Sequence, residues 1–186
     1  MLSQFIGGHP GLRMLGELDY DFPEGIHAVG RLDHTSEGLL LLTTNKAVTR
    51  LLFKGEEKHK RTYLVQAYKE VSPETLHLLR TGISIKISGN MDYTTTPCEV
   101  DIVERPVDLP RLVHELRADI PQTWMAMTLT EGKYRQIRKM LQEAGHPCRR
   151  LIRLSIEELQ LGDMAAGEVR ELPEKDFFKL LHIRHN

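Results

Sequence analysis

The stretch GRLDHTSEGLLLLTTN, residues 30–45, says more about the fold than any other part of the sequence. Its apolar block, residues 39–42, is too short to span a membrane and is bounded as a buried strand is. Asp33 lies in the polar turn before this block, two residues after Arg31. Binding residues are often found where rigid elements give way to loops, so Asp33 is a candidate functional carboxylate. The alternative is that Asp33 only closes the turn by accepting backbone N–H bonds.

Basic residues are concentrated in one later segment, KYRQIRKMLQEAGHPCRRLIR, residues 133–153. The segment has a single acid, Glu143, and a local charge of +6, whereas the whole chain sums to −1. Such a concentration favours a polyanionic partner, and we expect the basic side chains to bind RNA. The seven basic residues are Lys133, Arg135, Arg138, Lys139, Arg149, Arg150 and Arg153.

The apolar residues of this segment have helical spacing. Ile137, Met140, Leu141 and Ala144 fall at i, i+3, i+4 and i+7, which predicts a helix with one buried stripe and a glycine, residue 145, at its end. Residues 124–130 alternate as a strand does, so we expect the helix to begin close to residues 131–132, after a tight turn. Helix N-terminal N–H groups attract anions, although a solvated basic face is an equally ordinary explanation.

Periodicity and turn residues predict strands and helices in mixed order over the rest of the chain. This order indicates an α+β fold with a mixed, largely antiparallel sheet and flanking helices, in one domain. The further predicted strands are residues 26–32, 39–43, 61–68, 83–88, 97–103, 151–161 and 168–172. The further predicted helices are residues 47–53, 73–80 and 109–118, with a closing helix around Phe177, Leu180 and Leu181. Ser72 is the expected N-cap of the second helix, and in the third Leu112, Val113 and Leu116 are expected to point inward.

Composition excludes several classes of protein. The 186 residues are 40% hydrophobic and 27% charged, which is typical of a globular chain, and neither a signal peptide nor a membrane span is recognisable. The two cysteines, Cys98 and Cys148, and the nine histidines lack the spacing of a zinc site. There is no phosphate-binding loop or dinucleotide fingerprint. We therefore expect a cytoplasmic protein with no metal, no nucleotide cofactor and no membrane partner.

Three blocks of sequence together carry a resemblance to a known family. Residues 30–45, the RTYLV strand at 61–65, and EGKYRQIRKM at 131–140 with GH and LIR after it resemble the RsuA-type pseudouridine synthases, which modify ribosomal RNA. The resemblance implies a two-lobed sheet with a central cleft. It is greatest to the RluE branch, which lacks an S4-type RNA-binding module. We thus expect one catalytic domain over residues 1–186, with a shortened N-terminal strand.

The family's functional residues carry over to matching positions. The resemblance implies that Asp33 is the catalytic aspartate, that Tyr63 stacks on the target base, and that Arg138 pairs with the aspartate. It also implies that Arg31 enters the space left by the displaced nucleotide and that Leu151 forms an apolar wall of the base pocket. Gln136, in the same motif as Arg138, is predicted to bind substrate. The other six basic residues of the 133–153 segment are predicted to contact RNA.

The predicted chemistry is an isomerisation that needs no cofactor. The uridine must leave its stack, at a cost of a few kcal/mol, and an aromatic platform and an arginine offset that cost. The expected partner is ribosomal RNA or an assembling ribosomal particle, and the expected state is a monomer. One rival is an RNA-binding module without catalysis, in which a carboxylate in the groove would be of no use. Another is hydrolysis of a nucleoside glycosidic bond, which an aspartate could also serve.

Overall fold

The computed structural model describes residues 1–7, 11–53, 57–113 and 115–183. In chain order the strands and helices are β1 (His27–Val29), β2 (Glu37–Gly38), β3 (Leu41–Thr43), α1 (Val48–Phe53), β4 (Arg61–Tyr68), α2 (Pro73–Thr81), β5 (Ser84–Lys86), β6 (Asp92–Thr94), β7 (Glu99–Ile102), β8 (Gln122–Leu129), α3 (Gln136–Glu143), β9 (Cys148–Ile156), β10 (Leu159–Gln160) and α4 (Glu174–Leu180). Short 3-10 turns lie at Leu15–Glu17 and Ser88–Asn90. The predicted α+β class, with a mostly antiparallel sheet and flanking helices, is confirmed.

The chain forms two compact units. The continuous unit is Lys60–Arg153, and the discontinuous unit combines Met1–His59 with Leu154–Asn186. Strand β9 begins in the continuous unit and ends in the discontinuous one. Within the part of the chain that is described, no helix is long and apolar enough to cross a membrane.

The continuous unit is built on four neighbouring strands in the order β9-β4-β8-β7. Strands β4 and β8 pair antiparallel over their full length, from Arg61↔Leu129 to Tyr68↔Gln122. Because side chains alternate along a strand, one face of this pair is apolar and packs with the stripes of α2 and α3. The core on that face includes Val65, Ala67, Leu79, Met125, Met127, Ile137, Met140, Leu141 and Leu151.

The discontinuous unit has its own core. Strands β1 and β3 pair antiparallel, and β10 pairs antiparallel with the last residues of β9. Both segments of the chain contribute to the apolar cluster, because α1 and β3 come from the first segment and α4 from the second. The cluster is formed by Val29, Leu39, Leu41, Val48, Leu52, Ile156, Leu159, Phe178, Leu181 and Ile183.

Strand β4 and helix α2 lie where the sequence predicts them. The limits of β4 agree with the prediction at both ends, and α2 runs one residue further than expected. Ser72 caps α2, since its Oγ accepts a hydrogen bond from the backbone N–H of Thr75 at 3.2 Å. Gly82 follows the helix with φ +116°, and a Cβ there would come within 2.4 Å of the carbonyl oxygen of Thr95. Only glycine fits this close approach.

Three predicted elements are wrong in type or extent. The described residues of 109–118 form turns and no helix: Pro110 disfavours helical backbone before it, and Val113 is fully exposed while only Leu116 is buried. The strand predicted over 151–161 is the hairpin of β9 and β10, which turns at Glu157 with φ +48°. No strand forms over 168–172, where Arg170 pairs with acidic side chains. The short strand β6 was not predicted.

Candidate functional site

The turn at Asp33 belongs to the discontinuous unit and is closed by its backbone. The carbonyl of Asp33 accepts the N–H of Ser36 at 2.8 Å, as expected for a polar turn. The preceding residue, Leu32, is also fixed. Ser3 Oγ accepts a hydrogen bond from the Leu32 N–H at 3.0 Å and donates one to the Leu32 carbonyl oxygen at 3.2 Å. Asp33 itself is half-buried and Arg31 is exposed. The turn therefore holds Asp33 on a fixed backbone.

Gly30 brings the same turn close to α1. Its φ is +74°, and a Cβ would lie 2.9 Å from a ring carbon of Phe53 at the end of α1. A side chain at this position would force the ring away and strain the backbone. The glycine of the GRLD block thus has a packing reason that does not depend on substrate.

Tyr63 lies on β4 in the continuous unit, on the core-facing side of the strand. It is half-buried and is hydrogen-bonded to Arg153, which lies on the neighbouring strand β9. Burial lowers the pKa of Arg153, whereas the contact with Tyr63 raises it and the nearby charge of Arg61 lowers it further. Arg153 is only 3% exposed and lies buried on β9 beside Tyr63; its contact with RNA stays a prediction.

Arg138 lies in the first turn of α3 and reaches toward β9. Its Nη1 donates to the carbonyl oxygen of Cys148 at 3.4 Å and lies 3.7 Å from the Cys148 sulfur. Burial raises the pKa of the Cys148 thiol to about 11, although the charges of Arg138 and Arg135 oppose the rise. Leu151, the predicted pocket wall, is 6% exposed and belongs to the core that Tyr63 packs against. Tyr63, Leu151 and Arg153 are therefore neighbours in one unit.

Helix α3 begins at Gln136, later than predicted, because a side-chain network holds residues 131–135 as a non-helical turn. Gln136 is 5% exposed; its Nε2 donates to Glu131 Oε1 at 2.6 Å and its Oε1 accepts the Lys133 N–H at 2.8 Å. Arg135, at the helix N-cap, adopts the left-handed conformation with φ +54°. Both ends of the Gln136 amide are thus used inside the protein, and its contact with substrate stays a prediction.

Glu131 is the centre of this network. Besides Gln136, it accepts the Thr96 N–H at 2.9 Å and a hydrogen bond from the Tyr93 hydroxyl. Burial raises the pKa of Glu131, but the hydrogen bonds outweigh it, led by that of Tyr93, and the pKa lies below its usual value. The same hydrogen bond raises the pKa of Tyr93 to about 12. We name residues 131–135 the Glu131 turn.

The basic residues of the 133–153 segment divide by burial. Lys133, Arg135 and Arg149 are exposed, and Lys139 is half-buried with its Nζ donating to the Lys86 carbonyl at 2.6 Å. Their contact with RNA stays a prediction.

Arg150, by contrast, is 2% exposed. Its Nη1 donates to Glu115 Oε2 at 2.7 Å, and Glu115 also pairs with Arg105 at 2.6 Å. The charge of Arg150 is thus used in a buried ion pair, and its contact with RNA stays a prediction. Among the described residues no group of three or more His, Cys, Asp or Glu side chains is arranged to hold a metal ion.

A family model described as RNA pseudouridylate synthase matches residues 13–143, which is more than half of the chain. The matched range includes Asp33, Tyr63 and Arg138. The chain belongs to the RNA pseudouridine synthase family, and it is an isomerase of that class.

Two similar curated proteins carry one name, ribosomal large subunit pseudouridine synthase E. The protein of Vibrio parahaemolyticus is 36% identical over 172 residues, which cover 92% of this chain and 69% of that protein. The protein of Xanthomonas axonopodis pv. citri is 35% identical over 171 residues, which cover 89% of this chain and 85% of that protein. The resemblance to the RluE branch is confirmed by these matches.

Solved structures confirm the fold. A crystal structure of a pseudouridylate synthase superposes with a TM-score of 0.70 at 24% identity and covers 87% of this chain. This chain spans 63% of the length of that one. A chain of a Cbf5-Nop10-Gar1 complex has a TM-score of 0.53 at 14% identity. At these identities the likeness concerns the fold alone.

Sequence reasoning missed the residues that organise the site. Glu131 was noted only as part of a turn, although it anchors the start of α3. Tyr134, whose side chain is 72% exposed, was not singled out. An available signal was its position between two cations, in the order Lys133, Tyr134, Arg135, because aromatic residues between basic ones are typical of nucleic-acid surfaces.

Proposed function

We propose that this chain isomerises a specific uridine of large-subunit ribosomal RNA to pseudouridine. The observation that carries the proposal is the match, over 89% and 92% of this chain, to proteins named ribosomal large subunit pseudouridine synthase E. The proposed substrate is ribosomal RNA, free or in an assembling particle, and the proposed active form is a monomer.

The proposed reaction moves one bond of the base and needs no co-reactant. The N1–C1′ bond breaks, the uracil turns, and a C5–C1′ bond forms, while the proton lost from C5 is balanced by one gained at N1. Asp33 attacks or stabilises C1′ while the base is detached. Arg138 stabilises the ionised carboxylate of Asp33, since a guanidinium binds a carboxylate in a bidentate fork and stays charged beside phosphates.

In this proposal Tyr63 is the platform for the base that leaves the stack. Its place on β4 supports this role, because the ring packs against the core and the hydroxyl is held by Arg153. A platform fixed in this way loses little conformational freedom when the base arrives. The exposed basic residues Lys133, Arg135 and Arg149 are proposed to contact phosphates, which position the RNA without reading its sequence.

The proposal is tested by following hydrogen at C5. Ribosomal RNA labelled with [5-3H]uridine, from cells that lack this gene, is incubated with the protein, and released tritium and pseudouridine are measured. Wild-type protein is expected to release tritium and to form pseudouridine at one position. Asp33→Asn keeps the shape and removes the reactive charge, so it should abolish release while RNA affinity stays within several-fold.

His34→Gln is the matched control, because His34 is the exposed neighbour of Asp33 in the same turn and has no proposed role. It should retain wild-type turnover. Released free uracil would instead indicate hydrolysis of the glycosidic bond, and unchanged RNA that is nevertheless bound would indicate a binding module. Turnover retained by Asp33→Asn would refute the role of Asp33.

A further inference from the structure

Tyr134 is an unusual aromatic residue in this chain. Its side chain is 72% exposed, whereas the next most exposed aromatic side chain, that of Tyr68, is 39% exposed and all others are half-buried or buried. A single exposed apolar side chain needs no explanation in itself. The backbone that presents Tyr134 and the charges near it are what indicate a binding role.

The backbone that presents Tyr134 is fixed from within. The Gln136 side chain donates to Glu131 and accepts the Lys133 N–H, so side chains hold both ends of the Glu131 turn. Arg135, directly after Tyr134, has left-handed backbone, which is unfavourable for a residue with a Cβ. Backbone strain of this kind persists where surrounding contacts impose it and is common at binding sites. The turn therefore projects three consecutive side chains outward at the cost of local strain.

One lysine ammonium lies near the ring of Tyr134, and two further cations adjoin it in sequence. Lys139 Nζ lies 5.4 Å from the ring centroid, within the range of a cation–π contact. The same Nζ is bound to the Lys86 carbonyl, so its position is anchored. Lys133 and Arg135 flank the tyrosine in sequence and are exposed. An exposed aromatic face among fixed cations is the arrangement with which proteins bind unpaired nucleic acid, since the base stacks and the cations neutralise its phosphates.

A protein partner fits this surface less well. The centres of protein interfaces are depleted in lysine, whereas two of the three cations that adjoin Tyr134 are lysines. A nucleotide can contact both features, because its base stacks on the ring and its phosphate binds the cations.

We propose that Tyr134 stacks on an unpaired nucleotide of the substrate RNA, separate from the uridine that is isomerised, while Lys133, Arg135 and Lys139 contact the adjoining phosphates. The proposal rests on the proposed function for the identity of the RNA and for the assignment of Tyr63 to the target base. It makes the Glu131 turn a second point of RNA recognition, which selects targets with an unpaired residue nearby.

The test is equilibrium binding of an RNA fragment that carries the target uridine and its unpaired neighbours. Base–aromatic stacking predicts that Tyr134→Ala weakens binding roughly 5- to 150-fold, and that Tyr134→Phe and Tyr134→Trp stay within about threefold of wild type. The dependence of binding on salt should be unchanged in Tyr134→Ala, whereas Lys133→Ala should reduce the salt slope by about one. Tyr68→Ala, which removes the other exposed aromatic, is the control and should bind normally.

A fluorescent 2-aminopurine placed at the unpaired positions identifies the stacked nucleotide, because stacking on tyrosine quenches it. Quenching at one position that is lost in Tyr134→Ala supports the proposal. Wild-type affinity in Tyr134→Ala would overturn it, and so would equal losses in Tyr134→Phe and Tyr134→Ala, or an equal loss on a fully paired duplex.

Failure of this proposal differs from failure of the proposed function. If wild-type protein releases no tritium but Tyr134→Ala still loses RNA affinity, the stacking site stands and the isomerase proposal for this substrate fails. If wild-type protein is active and Tyr134→Ala binds and reacts normally, the stacking site alone is overturned.

Discussion

Replacing Glu115 by glutamine should destabilise the protein strongly although the shape of the side chain is kept. Glu115 is 4% exposed and binds two arginines, with Arg105 Nε at 2.6 Å and Arg150 Nη1 at 2.7 Å. Arg150 is just as buried, and it also donates to the carbonyl oxygen of Pro110 at 2.7 Å. A neutral glutamine accepts from one arginine, but its amide N–H group opposes the other. The buried ion pair between Glu115 and Arg150 is then broken.

The expected loss follows from the broken buried ion pair. Breaking a buried ion pair by removing one partner costs about 3–5 kcal/mol. Arg105 contributes the smaller part, since it is 21% exposed and can be hydrated. With a urea m-value of about 2 kcal/mol per M, the midpoint of urea unfolding should fall by roughly 1.5–2.5 M.

The measurement is urea unfolding followed by circular dichroism. Glu99→Gln is the matched control, because Glu99 pairs with Lys60 but is 64% exposed, and exposed pairs contribute little. The double variant Glu115→Gln with Arg150→Met also removes the buried guanidinium and should recover part of the loss. A midpoint for Glu115→Gln no lower than that of Glu99→Gln would refute the reasoning, and so would a double variant less stable than Glu115→Gln.

Three further predictions concern the backbone, acid stability and the proposed positioning of Tyr63. Gly82→Ala should cost roughly 3 kcal/mol or more, because its Cβ meets the Thr95 carbonyl at 2.4 Å, whereas Gly89→Ala, with open space, should cost only about 1 kcal/mol in thermal unfolding. The ordinary pKa of a glutamate is 4.5, and that of Glu131 is lowered, so ionised Glu131 stabilises the fold fully above pH 4.5. This stabilisation is lost as the pH falls through the lowered pKa. In Glu131→Gln the free energy of unfolding should therefore depend less on pH in the acid range. An unchanged pH dependence would contradict the stabilising role of the Glu131 hydrogen bonds. Arg153→Lys keeps the charge but not the geometry, so kcat should fall about tenfold or more with little change in KM; a change confined to KM would argue against a positioning role.

The sequence predicted correctly those elements whose start and end are marked by nearby residues. Helix α2 has its N-cap, its first-turn proline and its terminal glycine within the sequence 72–82, and β4 alternates cleanly between two limits. These features act over only a few residues, so they can be recognised from the sequence alone. The Asp33 turn belongs to the same group.

Tertiary partners decided the elements that were missed. Leu116 lies in irregular backbone, where its N–H is bonded to the side chain of Gln66 at 3.2 Å, fifty residues away. Helix α3 starts late because Glu131 and Gln136 bond each other around the turn. Neither contact leaves a periodic pattern in the sequence.

Counting charges likewise did not reveal where they lie. The sequence correctly located a cluster of basic residues, but β9 buries Arg150 and Arg153 while leaving Arg149 exposed. Burial of an arginine requires a partner from elsewhere in the chain, here Glu115 and Tyr63. The catalytic roles proposed for Asp33, Tyr63 and Arg138 rest on the family resemblance, because a carboxylate, a phenol and a guanidinium have no joint pattern in one sequence.

The passage of β9 from the continuous into the discontinuous unit has a consequence for biosynthesis. The apolar cluster of the discontinuous unit joins Val29 and Leu52 from the first segment with Phe178 and Leu181 from the last. A ribosome that has translated as far as β9 has joined every residue of the continuous unit but none of α4. The nascent N-terminal segment must therefore wait, with its half of that cluster open to water, until α4 has been made. Chaperone demand should be concentrated in that interval.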